Sequence, residues 1–297
     1  MAKSCMNANA IHKIYNPITA TPFQCTEDYM EFAPCDALKP YIRCFWGSRR
    51  AVAHEENSTA EMGIVIPDTC MDIIFTVDFT NNCIFSSFCG IDDRAFVTQH
   101  GSREKKTFLV FAVRFYPWGA ALFAEDSLRG TKNAFFDAGC HFSAIKKEIE
   151  RYLFDITDIC QLIPVVEKIL QCRLNERHQN QTVFQAMTRI LEKKGNILVT
   201  ALEQDVFVCS RQLQRLFLEY VGVSPKSLAA MVRYQYIWNE LLRDKNFNIA
   251  DAACRYGYSD QAHLCHDFKK YHSMNMADAR RYAVQNVVNI QDRRLGL

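Results

Sequence analysis

Between Gly195 and Arg281 the apolar positions recur at helical spacing, and the pattern occurs twice. Leu198, Ala201 and Leu202 form one apolar face, Val206 and Phe207 fall at a turn, and Leu213, Leu216 and Phe217 form the buried stripe of a following helix. At an offset of 51 residues, Leu198 falls on Ile249, Ala201 on Ala252, Phe207 on Tyr258, Leu213 on Leu264 and Phe217 on Phe268. Small and apolar residues hold the same places in both copies, so the pattern predicts a duplicated helical unit. Ser210 is expected to cap the second helix of the first copy. Between the copies, Ser224-Pro225 reads as a helix start. Leu228, Val232, Tyr236 and Leu241 then fit one long connecting helix.

Upstream the pattern changes. Leu38 to Gly47 reads as a turn into an aromatic-rich strand. Met62–Ile66, Met71–Val77, Cys83–Phe88 and Ala95–Thr98 are further short strands, and Thr107–Phe115 is the expected central one. Residues 1–35 read as irregular and Glu55–Thr59 as a polar loop. After Pro117-Trp118-Gly119, helical periodicity appears at Ala120–Ala124, Ser143–Phe154 and Leu162–Leu170. Arg173–Gln181 is polar and reads as a linker, and Gln185–Glu192 as the first helix of the second half. The fold expected is α+β. A β-rich barrel-like or sandwich domain with helices spans 1–175, and an all-α domain of two helical units joined by a long helix spans 182–297.

The net charge is only +2, but it is unevenly spread. From Thr182 onward 16 Lys and Arg stand against 11 Asp and Glu, while the preceding stretch has 19 against 22. The basic excess lies with the duplicated units, where phosphate contact would need it. The 13 cysteines are odd in number and scattered, with no Cys-x-x-Cys pair, which suggests free thiols in a reducing cytoplasm. No apolar leader opens the chain, and no apolar run approaches the ~20 residues of a membrane span. No convergent set of metal ligands is present, so neither metal nor cofactor is expected. Phosphate-cradling loops, Gly-x-Ser-x-Gly elbows and His-Glu-x-x-His helices are also missing from the sequence, so it is not expected to be an enzyme.

The outward faces of the second helices carry the candidate chemistry. Ser210, Arg211, Gln212, Gln214 and Arg215 form a donor-rich, long-armed surface of the kind a helix presents to a major groove. In the second copy the candidates are Gln261, His263, His266, Lys269 and Lys270. His263 has an equal reading as an internal hydrogen-bonding residue, and the two lysines as a solvated face. His266 stands where Arg215 stands in the first copy and would contact DNA best when protonated. A stiff connecting helix would set the two reading helices about one duplex turn apart, roughly 34 Å.

Positions 195–281 resemble the double helix-turn-helix domain of AraC/XylS-type transcriptional regulators. The resemblance rests on Ser210-x-x-Leu213-x-Arg215-x-Phe217, Gly222-x-Ser224-Pro225, Arg233, Ile249-Ala250, Gly257-Tyr258-x-Asp260, His263-Leu264, Phe268-Lys269-Lys270 and Arg280. Where the family's second copy usually repeats Gly-x-Ser/Thr-Pro, this chain has Ser273, Met274, Asn275 and Met276. The stretches around Tyr41–Trp46, Ile66–Ile74 and Val113–Gly119 resemble the N-terminal domain of one branch of these regulators. The resemblance implies a transcription regulator, an activator or a repressor, with double-stranded DNA as its partner. It further implies an N-terminal half that senses a small-molecule effector or forms a homodimer, and RNA polymerase as a second partner.

Phe45, Trp46, Phe111, Arg114 and Trp118 are candidates for an effector pocket, and equally for the core of a small β domain. A buried Arg114 needs a partner, and Asp68 or Asp72 would serve. Two other readings stay open: a DNA-repair or base-modifying enzyme with a reactive cysteine in the N-terminal half, and a ligand-binding module whose helical half has lost DNA function.

Overall fold

A computed structural model describes residues 8–22, 29–54, 61–100 and 106–284. The polar loop expected at Glu55–Thr59 lies outside the described residues. The fold is an antiparallel β-sheet domain followed by a helical domain.

Residues 1–35 are not wholly irregular. They contain a helix, α1 (Ala8–Ile14), and a short strand, β1 (Met30–Phe32). Next come β2 (Ile42–Gly47), β3 (Val52–His54), β4 (Glu61–Val65), β5 (Met71–Asp78), β6 (Cys83–Cys89), β7 (Phe96–His100), β8 (Lys106–Phe115) and β9 (Phe135–Asp137). The main sheet runs β1-β2-β8-β5-β6-β9, with β3 also paired to β8, and β4 pairs with β7 as a separate ribbon. All pairings are antiparallel, and β8 is central as expected. β3 and β9 escape the sequence pattern because three residues are too few to show an alternation. Ala120–Leu122 is a 3₁₀ turn rather than an α-helix.

Strand alternation divides the sheet cleanly. Phe45, Ile73, Phe75, Val77, Phe88, Leu109, Phe111 and Val113 are fully buried on one face. Helix α2 (Gly139–Leu153) packs on this face, with Phe142 4.9 Å from the ring of Phe88, and α3 (Ile159–Arg173) packs on α2. The opposite face carries a polar row that crosses four strands in register. Cys44 pairs with Arg114, Arg114 with Asp72, and Asp72 with Cys89.

The helical domain comprises α4 (Gln181–Glu192), α5 (Val199–Val206), α6 (Ser210–Tyr220), α7 (Pro225–Arg243), α8 (Ile249–Arg255) and α9 (Gln261–His272), followed by helical residues 276–284. Pro225 occupies the first turn of α7 and Ser224 accepts the N–H of Ser227 at 3.1 Å, as the Ser-Pro pair predicts. Gly195 lets α4 turn closely onto α7. At φ +76°, a Cβ there would stand 2.1 Å from the carbonyl oxygen of Ala229.

Helix α7 is buried along much of its length, and Tyr234, Gln235, Tyr236 and Trp238 find polar partners on its two sides, while Arg233 Nε is buried without a hydrogen bond. Tyr234, 1% exposed, hydrogen-bonds Nδ1 of His272 on α9 at 2.7 Å, and Trp238 sits edge-on to the same imidazole at 4.5 Å. On its other side α7 holds the N-terminal segment as a strap. Gln235 accepts the N–H of Ile18 at 2.9 Å and donates to the carbonyls of Ile18 (3.1 Å) and Pro67 (2.7 Å). Trp238 donates to the Thr19 carbonyl at 3.0 Å and Tyr236 to that of Ile14 at 2.7 Å. Tyr15 completes the strap by meeting the Thr69 hydroxyl of the β domain at 2.9 Å. A second joint lies at the end of α6, where the Glu219 carbonyl accepts the N–H of Leu128 at 2.8 Å.

His272 is 0% exposed, and burial lowers its pKa to about 4. The unfolded chain takes up the proton below about pH 6.5, so stability falls as pH drops through that value and levels off below the folded pKa. Between pH 7.5 and 5 this group alone is expected to cost on the order of 2 kcal/mol, measurable by urea unfolding. His272→Leu should flatten that dependence, and an unchanged pH profile in the variant would refute it.

Candidate nucleic-acid interface

Helix α6 has one apolar stripe, Leu213, Leu216 and Phe217, at 0%, 7% and 0% exposure. Stripe residues three or four apart leave the remaining positions to solvent. Ser210, Arg211, Gln212, Gln214 and Arg215 are all exposed and form one continuous surface. Arg215 lies 3.2 Å from Glu219 one turn on, an exposed pair that is loosely held. Ser210 is the first helical residue rather than the cap. Cys209 occupies the cap position and makes no side-chain bond there.

In α9, Leu264 and Phe268 form the stripe with Tyr271 and His272, while Gln261, His263, His266, Lys269 and Lys270 are exposed. His263 is tied to its own turn. Its backbone N–H donates to Asp260 at 2.7 Å, its Nδ1 meets the Ser259 hydroxyl at 3.1 Å, and its ring stands edge-on to Tyr258 at 5.1 Å. The bond from the His263 N–H helps hold the Asp260 carboxyl below its usual range. The Lys270 ammonium lies 5.2 Å from the ring of Tyr271. This unit is fixed to α7 by Arg233, whose guanidinium lies 4.4 Å over Tyr258 and 3.8 Å from Asp267.

The family-like Gly-x-Ser-Pro of the first unit has a working substitute in the second. Gly222 takes φ +78° and Ser273 takes φ +61°, so the left-handed residue is kept without glycine. Asn275 accepts the N–H of Asp278 at 2.9 Å, as Ser224 accepts that of Ser227. The repeat is less regular at the turn. The reading helices superpose at the 51-residue offset, but α5 and α8 begin at Val199 and Ile249 and the left-handed residues are Phe207 and Gly257. The first turn is therefore one residue shorter. Leu198, Ala201 and Phe207 match positions one residue earlier than the uniform offset implies. Phe207 consequently corresponds to Gly257 rather than to buried Tyr258, and it is 93% exposed.

The five candidate effector residues fall in three places. Phe45 and Phe111 are sealed in the core, their rings 6.0 Å apart, so they line no open cavity. Trp118 is also buried, donating to the Pro40 carbonyl at 2.7 Å and stacking on Tyr116. Only Trp46 and Arg114 share a surface, the polar face of the sheet. Arg114 is bidentate to Asp72, at 2.9 and 3.1 Å, and reaches Asp68 at 3.4 Å. Trp46 donates to the same Asp72 at 2.8 Å. Nearby Asp92 is raised to about 6, chiefly by burial, and burial also pushes up the thiols of Cys44, Cys70 and Cys89. Such thiols are poor nucleophiles at neutral pH, which weighs against a repair chemistry at those positions.

A family described as a helix-turn-helix domain matches residues 203–282. Residues 203–282, which include α6, α7, α8 and α9, are thus a helix-turn-helix domain. A domain of unknown function (DUF6597) matches residues 30–136, the body of the sheet. No curated protein matches the chain. Among solved structures, an AraC-type regulator from Chromobacterium violaceum is 19% identical, covering 35% of this chain and 93% of its own, with a TM-score of 0.32. The C-terminal domain of AraT, a response regulator from Geobacillus stearothermophilus, is 22% identical over 35% of this chain and 86% of its own, at 0.33. ToxT from Vibrio cholerae is 11% identical over 81% of this chain and 97% of its own, at 0.38.

Two outcomes test these placements. Arg211→Ala combined with Arg215→Ala should weaken duplex binding by about 1–3 kcal/mol for each base an arginine reads, and lower the salt slope by about 1 for each phosphate it neutralises. Arg50→Ala, at an exposed bend of the β domain, should change little, and equal effects in a gel shift would refute the candidate face. Arg114→Met should leave Asp68 and Asp72 without their cation and cost about 3–5 kcal/mol by urea unfolding. A variant as stable as the parent would show the cluster to be unimportant to the fold.

Proposed function

We propose that the chain is a sequence-specific, DNA-binding regulator of transcription that acts in the cytoplasm. The observation that carries this reading is the pair of exposed, donor-rich helices, α6 and α9, each seated by one apolar stripe on the shared scaffold of α7. With 19 residues, α7 spans about 28 Å, a length suited to placing two readers in successive major-groove segments. Ser210, Arg211, Gln212, Gln214 and Arg215 supply the first contact surface. Gln261, His266, Lys269 and Lys270 supply the second, with His263 holding the turn.

The β domain tunes this reader, through a small-molecule effector or a second copy of the chain, and the outcome is recruitment or obstruction of RNA polymerase. Two features support such tuning. The polar sheet face around Trp46, Asp72 and Arg114 offers oriented donors and acceptors at the edge of a core. The strap and the Leu128–Glu219 bond then join that domain directly to α7 and to the end of α6.

Selection of bound sites from random duplexes, using the full chain, tests the reading. The expected product is a site with two contacted segments about 10 base pairs apart, bound with an affinity that falls steeply with salt. Failure to enrich any sequence, together with binding indifferent to salt, would refute it.

A further inference from the structure

Phe207 is the most exposed large apolar side chain among the described residues, at 93%, and it adopts a left-handed backbone conformation at φ +55°, ψ +38°. Both features are unfavourable. A bulky residue in this region carries steric strain that glycine would avoid, and the second unit does use glycine there, at Gly257. Exposure means the ring gains no packing in return. A strained aromatic without internal contacts points to an external one.

Its position says what that contact is. Phe207 stands three residues before Ser210, so its Cα lies within about 11 Å of the start of α6. Val208 between them is half-buried and anchors the turn, while Cys209, Ser210, Arg211 and Gln212 are exposed and continue the same surface. A reading helix presents its N-terminal residues to base edges, so the turn that feeds it lies at the rim of the major groove. Polar side chains there meet hydrogen-bonding edges. An apolar ring meets the carbon surface of the duplex, namely the thymine C5-methyl or the deoxyribose. The second unit has no counterpart, because Gly257 is closed over by Asn196, whose side-chain oxygen would lie 2.4 Å from a Cβ.

We propose that Phe207 is a DNA-contacting residue that packs its ring on apolar carbon at the groove rim beside the first reading helix, and that it reads sequence where that carbon is the thymine methyl. This rests on the DNA-binding reading above and deepens it, by adding an apolar contact to a face otherwise made of hydrogen-bond donors.

The test uses the full chain and its selected duplex in fluorescence anisotropy at several salt concentrations. Phe207→Gly and Phe207→Asn both suit a left-handed position, so melting temperatures equal to or above the parent's are expected. Both should weaken the selected duplex on the order of tenfold, with an unchanged slope of log affinity against log salt, because an apolar contact releases no counterions. Arg211→Ala should lower that slope. Replacing thymine by uracil in the selected site distinguishes the two carbon sources. If the methyl is the partner, the parent loses affinity on uracil duplex and Phe207→Gly does not. If deoxyribose is, the variant's loss appears with no uracil effect in either protein. Parent-like affinity in both variants overturns the inference, including the case where they instead lose association with another protein. A parent that enriches no duplex overturns the proposed function along with it, so the two failures are separable.

Discussion

A 19-residue helix buried along much of its length must find partners for its polar side chains where they stand, and on α7 three residues, Tyr234, Gln235 and Trp238, do so on two sides, with Arg233 Nε left without a hydrogen bond. Gln235 is the clearest case. It is 2% exposed, and its amide both accepts from and donates to backbone groups of the N-terminal segment and the β domain. Tyr234 and Trp238 do the same with aromatic bodies and polar tips, against His272 on one side and the Thr19 carbonyl on the other. The position of α6 relative to α9, and of both relative to the sheet, follows from this one buried rod.

Duplicated units need not be equivalent. α9 begins at a capped, charged end, with Asp260 holding the N–H of His263, whereas α6 begins at Cys209 with no side-chain cap. The first turn is one residue shorter and projects an aromatic ring, while the second is filled by Tyr258 stacked beneath Arg233. One helical repeat thus presents two chemically different faces to the same polymer.

The legible parts of this molecule are those governed by local periodicity. The stripes Leu213–Phe217 and Leu264–Phe268, the Ser224-Pro225 start and strand β8 follow from spacing alone. Three kinds of feature are not legible. β9 and β3 are too short to show a pattern. A uniform 51-residue offset places Phe207 on Tyr258 and so among the packing residues, and only the backbone shows the turn to be shorter. Phe45 and Phe111 lie on the opposite sheet face from Trp46 and Arg114, as alternation within β2 and within β8 requires, but which of the two faces the helices cover is set by tertiary packing that no single strand reveals. The strap is invisible for a different reason. A side chain that binds backbone carbonyls, as Gln235 and Trp238 do, asks nothing particular of its partner's sequence.

That last property bears on how the protein can be divided. The helix-turn-helix match begins at residue 203, yet the rod at its centre is covered by Tyr15, whose ring lies 5.8 Å from that of Tyr236, and by the backbone of Ile14, Ile18 and Thr19, nearly two hundred residues upstream. A fragment cut at the sequence boundary would bare an indole, a carboxamide and the apolar wall they serve. The folding unit and the reading unit are therefore not coextensive, and residues 14–19 belong, physically, to the C-terminal half.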